Sequence, residues 1–101
     1  VLTEVLKFNA PHAKALYAEL MCCLDAKSTG STEALCDLFI DHMQNHLDHS
    51  GLILKLKDLK IAENMLEKLA QDAMLQTRLL QNNPRDMTQQ NALDIYQAIY
   101  A

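Results

Sequence analysis

The stretch from Asp58 to Asn82 limits the possible folds most, because its apolar residues repeat with the period of an α-helix. At about 100° per residue they fall on one arc, while the charged and amide side chains fall elsewhere. A single helix cannot bury its own apolar stripe, so partner helices must cover it. The stripe consists of Leu59, Ala62, Met65, Leu66, Leu69, Ala70, Ala73 and Leu80.

A first long helix is predicted over residues 10–27, with a short helical segment over 1–9 before it. Pro11 suits the first turn of that helix, where its missing N–H would have no partner. The opposite face of the helix carries small residues, which would let another helix approach closely, although exposed helices also use alanine as a good helix former. The main apolar face is Ala13, Leu16, Leu20, Cys23 and Leu24, and the small residues are Ala15, Ala18 and Cys22.

The second helix is bounded by two clear signals. Ser31 or Thr32 is its natural N-cap, and the helix is predicted to run to about His49. Gly51 then stops it, because glycine can take the left-handed conformation that follows many helices. Its predicted apolar stripe is Cys36, Phe39, Ile40, Met43 and Leu47.

The segment 52–57 is predicted to be a connector, because Lys55 would face the core if the third helix began earlier. Asn83 and Pro84 mark the end of the third helix and the start of the last one. Only 2 Gly and 2 Pro occur in 101 residues, which favours helices over a turn-rich β fold. The sequence therefore predicts one all-α domain over 1–101, an antiparallel bundle of about four main helices with a short N-terminal helical segment.

Charge and cysteine usage restrict the location and the partners. A net charge of −4 argues against a nucleic-acid partner or an anionic membrane surface. No apolar run approaches the roughly 18 residues that a membrane span needs. Cys22, Cys23 and Cys36 are odd in number and have no C-x-x-C spacing, so a disulfide framework is not expected. A reducing, cytoplasmic location is the simpler expectation.

Three histidines, His42, His46 and His49, share one side of the second helix and are the candidate metal ligands. Their rise along the axis places the outer two roughly 10 Å apart, so one metal would be held by neighbouring pairs rather than by all three. Ligands from another helix, such as Glu63 or Glu67, would have to complete the site. The alternatives are imidazoles bonded to water or carboxylates, a metal or haem site, and a pH-sensitive contact.

Nothing in the sequence indicates catalysis, because no glycine-rich phosphate loop, no Ser-His-Asp order and no activated cysteine is present. We therefore expect no enzyme and no obligatory cofactor. The sequence predicts a non-enzymatic protein-protein interaction module, such as a small regulator, adaptor or chaperone, that binds a protein partner and self-associates as a dimer or larger homo-oligomer. The alternative is a metal- or haem-binding bundle that uses His42, His46 and His49. The predicted contact residues are Ala15, Ala18, Met21, Cys22, Leu75 and Leu79.

Overall fold

The computed structural model describes residues 1–101 and contains five α-helices and no β-strand, which confirms the all-α prediction. Two 3₁₀ turns, Leu56–Leu59 and Glu63–Met65, precede the third helix. None of the helices has both the length and the apolar character that a membrane crossing requires. The helices are α1 Leu2–Leu24, α2 Thr32–His49, α3 Leu66–Ala73, α4 Thr77–Gln81 and α5 Gln89–Ala98.

The helices pack as two pairs, α1 with α2 and α3 with α5, and contact between the pairs is sparser. The first residues of α1 lie beside the last residues of α2, as expected for antiparallel neighbours. The body is elongated, 44 × 30 × 19 Å. The main core lies between α1 and α2, where apolar side chains from both helices interlock: Ala13, Tyr17, Ala18, Met21, Leu35, Cys36, Phe39 and Ile40.

The predicted N-terminal segment and first helix form one continuous element, α1, with a kink at Ala13 (φ −137°, ψ 17°). Pro11 lies inside this helix rather than at its start. Proline has no N–H to donate to the carbonyl of Lys7, and its ring crowds that carbonyl, so the helix bends here. The predicted helix start near residue 10 is therefore wrong.

Of the predicted apolar face of α1, only Ala13 is buried, and the rest of the buried face is different. Tyr17 packs against Phe39 of α2 with ring centroids 5.4 Å apart, and Ala18 lies against the same helix. The larger leucines of the predicted core face, Leu16, Leu20 and Leu24, are exposed. The contact of Tyr17 with Phe39 and the small side chain of Ala18 let α1 and α2 approach each other closely. The bulkier leucine face would hold the two helices further apart.

The predictions for α2 are confirmed. Ser31 Oγ accepts a hydrogen bond from the Ala34 N–H at 3.1 Å and caps the helix. The helix ends at His49, and Gly51 follows in the left-handed region with φ +77°. The predicted stripe contributes Cys36, Phe39 and Ile40 to the core.

The predicted long helix from Asp58 to Asn82 is wrong. Lys60 adopts a left-handed conformation (φ +62°), and Gln76 (φ −82°, ψ 58°) interrupts the chain again between α3 and α4. The N–H groups of Leu56 and Lys57 donate to the carbonyls of Ile99 and Tyr100, each at 3.0 Å. These bonds fix the connector to the end of α5, so the chain must turn before it can enter α3.

The last helix begins at Gln89, later than Pro84 predicts. Thr88 caps it: Thr88 Oγ1 accepts from the Asn91 N–H at 3.2 Å, and Asn91 Oδ1 accepts from the Thr88 N–H at 2.9 Å. This reciprocal pair is a capping box with Asn in the position that Glu or Gln commonly takes. The helix faces inward with Ala92 and Ile95, which are both buried.

Candidate functional site

The histidines lie on the second half of α2, on a face open to solvent. His42 Nε2 and His46 Nε2 are 3.1 Å apart, and the two rings meet edge to face with centroids 4.6 Å apart. His49 is held separately, because its Nδ1–H donates to the Asn45 carbonyl at 2.7 Å. The structure therefore brings two of the three predicted histidines together and leaves the third aside.

A complete metal site is not formed around this pair. No group of three His, Cys, Asp or Glu side chains is arranged to hold a metal ion. The further ligands that the sequence left open, such as Glu63 and Glu67, do not join His42 and His46. The open notch beside the rings has a volume of about 270 Å³, and only His42, Asn45, His46 and His49 line it.

The six predicted contact residues divide into two groups. Ala18 and Met21 are buried between α1 and α2, so the close approach occurs within the chain and these two side chains are not available to a partner. The other four are exposed, most strongly the two leucines, Leu75 at 73% and Leu79 at 70%. A contact role for them stays a prediction, and the exposed residues are Ala15, Cys22, Leu75 and Leu79.

The largest apolar cavity is a cleft between the start of α1, α4 and α5, with a volume of about 330 Å³. Nine of its eleven lining residues are hydrophobic, and its polar members are Gln76 and Asn83. Leu79 lines this cleft, whereas Leu75 does not. Leu79 was predicted as a contact residue, but the cleft has no signal of its own in the sequence, because it exists only where the start of α1 meets α4 and α5, which come much later in the chain. Its hydrophobic members are Val1, Val5, Ala73, Leu79, Leu80, Met87, Ala92, Ile95 and Tyr96.

A polar contact connects the loop after α4 to α1 beside this cleft. Asn9 and Asn83 exchange two side-chain hydrogen bonds, at 2.8 and 2.7 Å, and Asn83 Nδ2 also donates to the Arg85 carbonyl at 2.6 Å. The Arg85 guanidinium lies over the Phe8 ring, 4.2 Å from its centroid, and donates to the Phe8 carbonyl at 2.8 Å. This contact was not predicted from the sequence, because asparagine near proline is also typical of a helix start.

The remaining ionisable contacts are structural. Lys14 Nζ lies 2.6 Å from Glu33 Oε1. This hydrogen bond, and then the opposite charge, raises the pKa of Lys14 and lowers the pKa of Glu33. Burial raises the pKa of the Cys36 thiol, and the nearby Asp37 adds to the shift. A thiol whose pKa is raised is a poor nucleophile, so Cys36 is a packing residue.

The molecule is a helical domain with an apolar cleft, and its side chains do not form a complete catalytic centre. The family model described as Fe-containing alcohol dehydrogenase family, C-terminal, matches residues 1–100. The chain therefore belongs to the Fe-containing alcohol dehydrogenase family. No curated protein and no solved structure matches the chain.

Membership of this enzyme family corrects the predicted function. The expectation of a non-enzymatic interaction module is wrong, and so are the expected absence of enzyme function and the description as regulator, adaptor or chaperone. Apolar stripes and exposed leucines occur both in adaptors and in the helical parts of enzymes, so they do not separate these classes. The expectation that no cofactor takes part has no support, whereas a role for a metal agrees with an iron-containing family.

The residues of this chain do not by themselves fit a catalytic iron. His42 and His46 offer two nitrogens on an exposed helix face, and no third ligand accompanies them. Catalytic metals commonly have at least three protein ligands in a sheltered cavity. The histidine pair is therefore not the iron centre of an alcohol dehydrogenase.

Proposed function

We propose that these residues form the helical C-terminal part of an iron-dependent alcohol dehydrogenase. The observation that carries the proposal is the match of residues 1–100 to the C-terminal part of that family. The reaction is the oxidation of an alcohol to an aldehyde or ketone, in which the hydride passes to a nicotinamide carrier and the hydroxyl proton is released.

Within this enzyme, the apolar cleft takes the hydrocarbon part of the alcohol. Its volume of about 330 Å³ falls within the range of small-molecule sites, and its lining is mostly hydrophobic with a few polar groups. Burial of each methylene of the substrate stabilises the bound state by about 0.8 kcal/mol. The cleft therefore favours alcohols with a carbon chain over the smallest ones.

The iron and the phosphates of the carrier are held outside these residues. Two histidine nitrogens on an exposed face do not make an iron centre. The chain has only two glycines, Gly30 and Gly51, and neither belongs to a glycine-rich loop that could wrap a pyrophosphate. The role of the helical part is therefore to build one wall of the substrate site.

The first experiment tests the reaction. The natural protein that contains these residues is loaded with Fe²⁺ without oxygen, and reduction of NAD⁺ or NADP⁺ is followed by absorbance with a series of straight-chain alcohols. We expect alcohol-dependent reduction that disappears when the iron is removed and returns when it is restored. Absence of reduction with every alcohol and both carriers would overturn the proposal.

The second experiment tests the cleft with a matched pair of variants. Leu79→Trp places a bulky ring in the cleft, whereas Leu75→Trp makes the same change at an equally exposed leucine outside it. We expect Leu79→Trp to raise KM for the longer alcohols by about tenfold, since pocket contacts of this size are worth 1–3 kcal/mol. Leu75→Trp should leave KM unchanged. Equal effects of the two variants would remove the cleft from the substrate site.

Two further expectations complete the proposal. Self-association is tested by the mass of the native protein in solution, and a strict monomer would refute it. Cytoplasmic location rests on the three unpaired cysteines and is tested by fractionation of the source cells.

A further inference from the structure

The strongest feature outside the proposed substrate site is the histidine pair on α2. We propose that His42 and His46 form a two-nitrogen binding site for a divalent transition-metal cation of the Cu²⁺, Ni²⁺ or Zn²⁺ class, separate from the catalytic iron. This site does not depend on the proposed dehydrogenase activity.

The spacing of the two nitrogens carries the proposal. Imidazole nitrogens bind zinc at about 2.0–2.1 Å, so two of them on one ion, at angles between about 90° and 109°, lie about 2.8–3.4 Å apart. The observed Nε2 to Nε2 distance of 3.1 Å falls in this range. The backbone of α2 therefore already holds both ligands at the separation that one cation requires.

Without a metal, one proton between the rings accounts for the same geometry. One imidazole carries Nε2–H and donates it to the Nε2 lone pair of the other ring. Cation binding replaces this hydrogen bond: the donor ring shifts its proton to Nδ1, and both Nε2 lone pairs then point to the metal. The helix need not move, but the two rings turn about their side-chain bonds, because a shared cation lies off the line between the two nitrogens along which the hydrogen bond points.

The surroundings leave room to complete the coordination shell with water. The notch beside the rings, about 270 Å³, is open and has no hydrophobic lining. His49 is not a third ligand in this arrangement, because no group of three His, Cys, Asp or Glu side chains is placed to hold one ion. Two imidazoles without a carboxylate favour borderline transition metals over Mg²⁺ and Ca²⁺, which prefer oxygen ligands.

The experiment is a calorimetric titration of the full-length iron-loaded protein, in which the catalytic site is already filled, with Cu²⁺, Ni²⁺ and Zn²⁺ chlorides in turn and with Mg²⁺ as the hard-cation control. We expect one additional ion per chain, with Cu²⁺ bound more tightly than Ni²⁺ and no binding of Mg²⁺. Zn²⁺ should shift the imidazole nuclear magnetic resonance signals of His42 and His46 and no others. Shifts at other histidines alone, or Mg²⁺ binding at the same site, would overturn the proposal.

Four single variants separate the pair from the other histidines. His42→Asn and His46→Asn should each lower the affinity at least tenfold, because loss of only an outer-shell partner of a metal site already causes about that change. His49→Asn, on the same helix, and His12→Asn, on α1, should keep the affinity of the unmodified protein. Unchanged affinity in His42→Asn or His46→Asn would refute the assignment. A tenfold loss in His49→Asn would also refute it, since it would make the site a three-histidine one.

Discussion

The pair formed by buried Asn9 and half-buried Asn83 offers the sharpest test of how the two halves of the molecule are joined. Asn9 is only 3% exposed, and its side chain makes two hydrogen bonds to Asn83. The change Asn9→Ala removes both bonds and leaves Asn83 Oδ1 without its partner, whereas Asn83 Nδ2 keeps the Arg85 carbonyl. The two sides of the loop contact thus lose their main polar connection.

The expected cost follows from the number of bonds. Each net hydrogen bond contributes about 1 kcal/mol, so loss of both bonds costs about 2 kcal/mol. Water reaches the half-buried Asn83, which limits the further cost of its freed oxygen. The higher helix preference of alanine returns up to about 0.7 kcal/mol. We therefore expect Asn9→Ala to lower the free energy of unfolding by about 1.5 kcal/mol, which corresponds to a fall in Tm of about 6–12 °C for a domain of this size.

Denaturant unfolding of single and double variants measures this effect. If Asn9 and Asn83 act as a pair, the double variant Asn9→Ala/Asn83→Ala loses at least about 0.5 kcal/mol less than the sum of the single changes. Asn82→Ala is the control, because its exposed side chain bonds only to the Arg78 carbonyl of its own turn, and it should change stability by less than about 0.5 kcal/mol. Additive losses, or an equal loss in Asn82→Ala, would refute the reasoning.

Three further predictions concern single side chains. Thr3→Val should raise the free energy of unfolding by about 1 kcal/mol, because Thr3 Oγ1 is buried without a hydrogen-bond partner; a lower Cm in denaturant would contradict this. A thiol reagent should label Cys22 and Cys23 of the native protein quickly and Cys36 only after unfolding, since Cys36 is buried and burial raises the pKa of its thiol. Mass spectrometry counts the labels, and rapid labelling of all three cysteines would contradict the prediction. The hydrogen bond from Lys14 holds the pKa of Glu33 below its ordinary value of 4.5, so the pair stabilises the fold above that pH and stops doing so as pH falls through the lowered value. Glu33→Gln should therefore be slightly less stable than the unmodified protein at neutral pH and equally stable in strong acid, as measured by denaturant unfolding at both pH values. A stability difference that remains in strong acid would show that the Lys14–Glu33 pair does not cause it.

Helix ends that rest on local chemistry could be predicted from the sequence. Ser31 caps α2 with its own hydroxyl, and Gly51 follows the end of that helix, so both signals act within a few residues of the place they mark. The apolar stripe of α2 is likewise local, since it faces one neighbour along its length. The all-α class follows from the same kind of pattern repeated along the chain.

The ends that depend on distant residues could not be predicted. The break at Lys60 accompanies the bonds from Leu56 and Lys57 to the end of α5, some forty residues later in the chain. Helical periodicity continues through this break, because the apolar residues still recur at helical spacing. The side-chain pattern indicates which residues prefer burial, but it does not indicate that backbone N–H groups bond to carbonyls in a distant part of the chain.

The candidate sites also separate into those with a signal within one segment of the sequence and those that depend on distant residues. The pairing of His42 with His46 follows from i, i+4 spacing on one helix, so the sequence located it. The apolar cleft needs α1, α4 and α5 together, and the exchange between Asn9 and Asn83 joins residues 74 apart. Neither has a signal within one segment. The enzyme family was missed for a related reason, because these helices contain no catalytic motif and their stripes are common to many helical proteins.

The face that α1 buries shows that the wider apolar stripe of a helix is not always the buried one. Leu16 belongs to the broader apolar stripe yet is 59% exposed, whereas Tyr17, at the edge of that stripe, is 8% exposed. Tyr17 has an aromatic partner in Phe39, and Ala18 beside it permits the close approach that brings the rings together. A stripe of leucines fits any apolar neighbour, but an aromatic pair beside a small residue fits one partner at one distance. Packing complementarity with α2, rather than total hydrophobicity, therefore decides which side of α1 faces the core, and it leaves Leu16, Leu20 and Leu24 exposed.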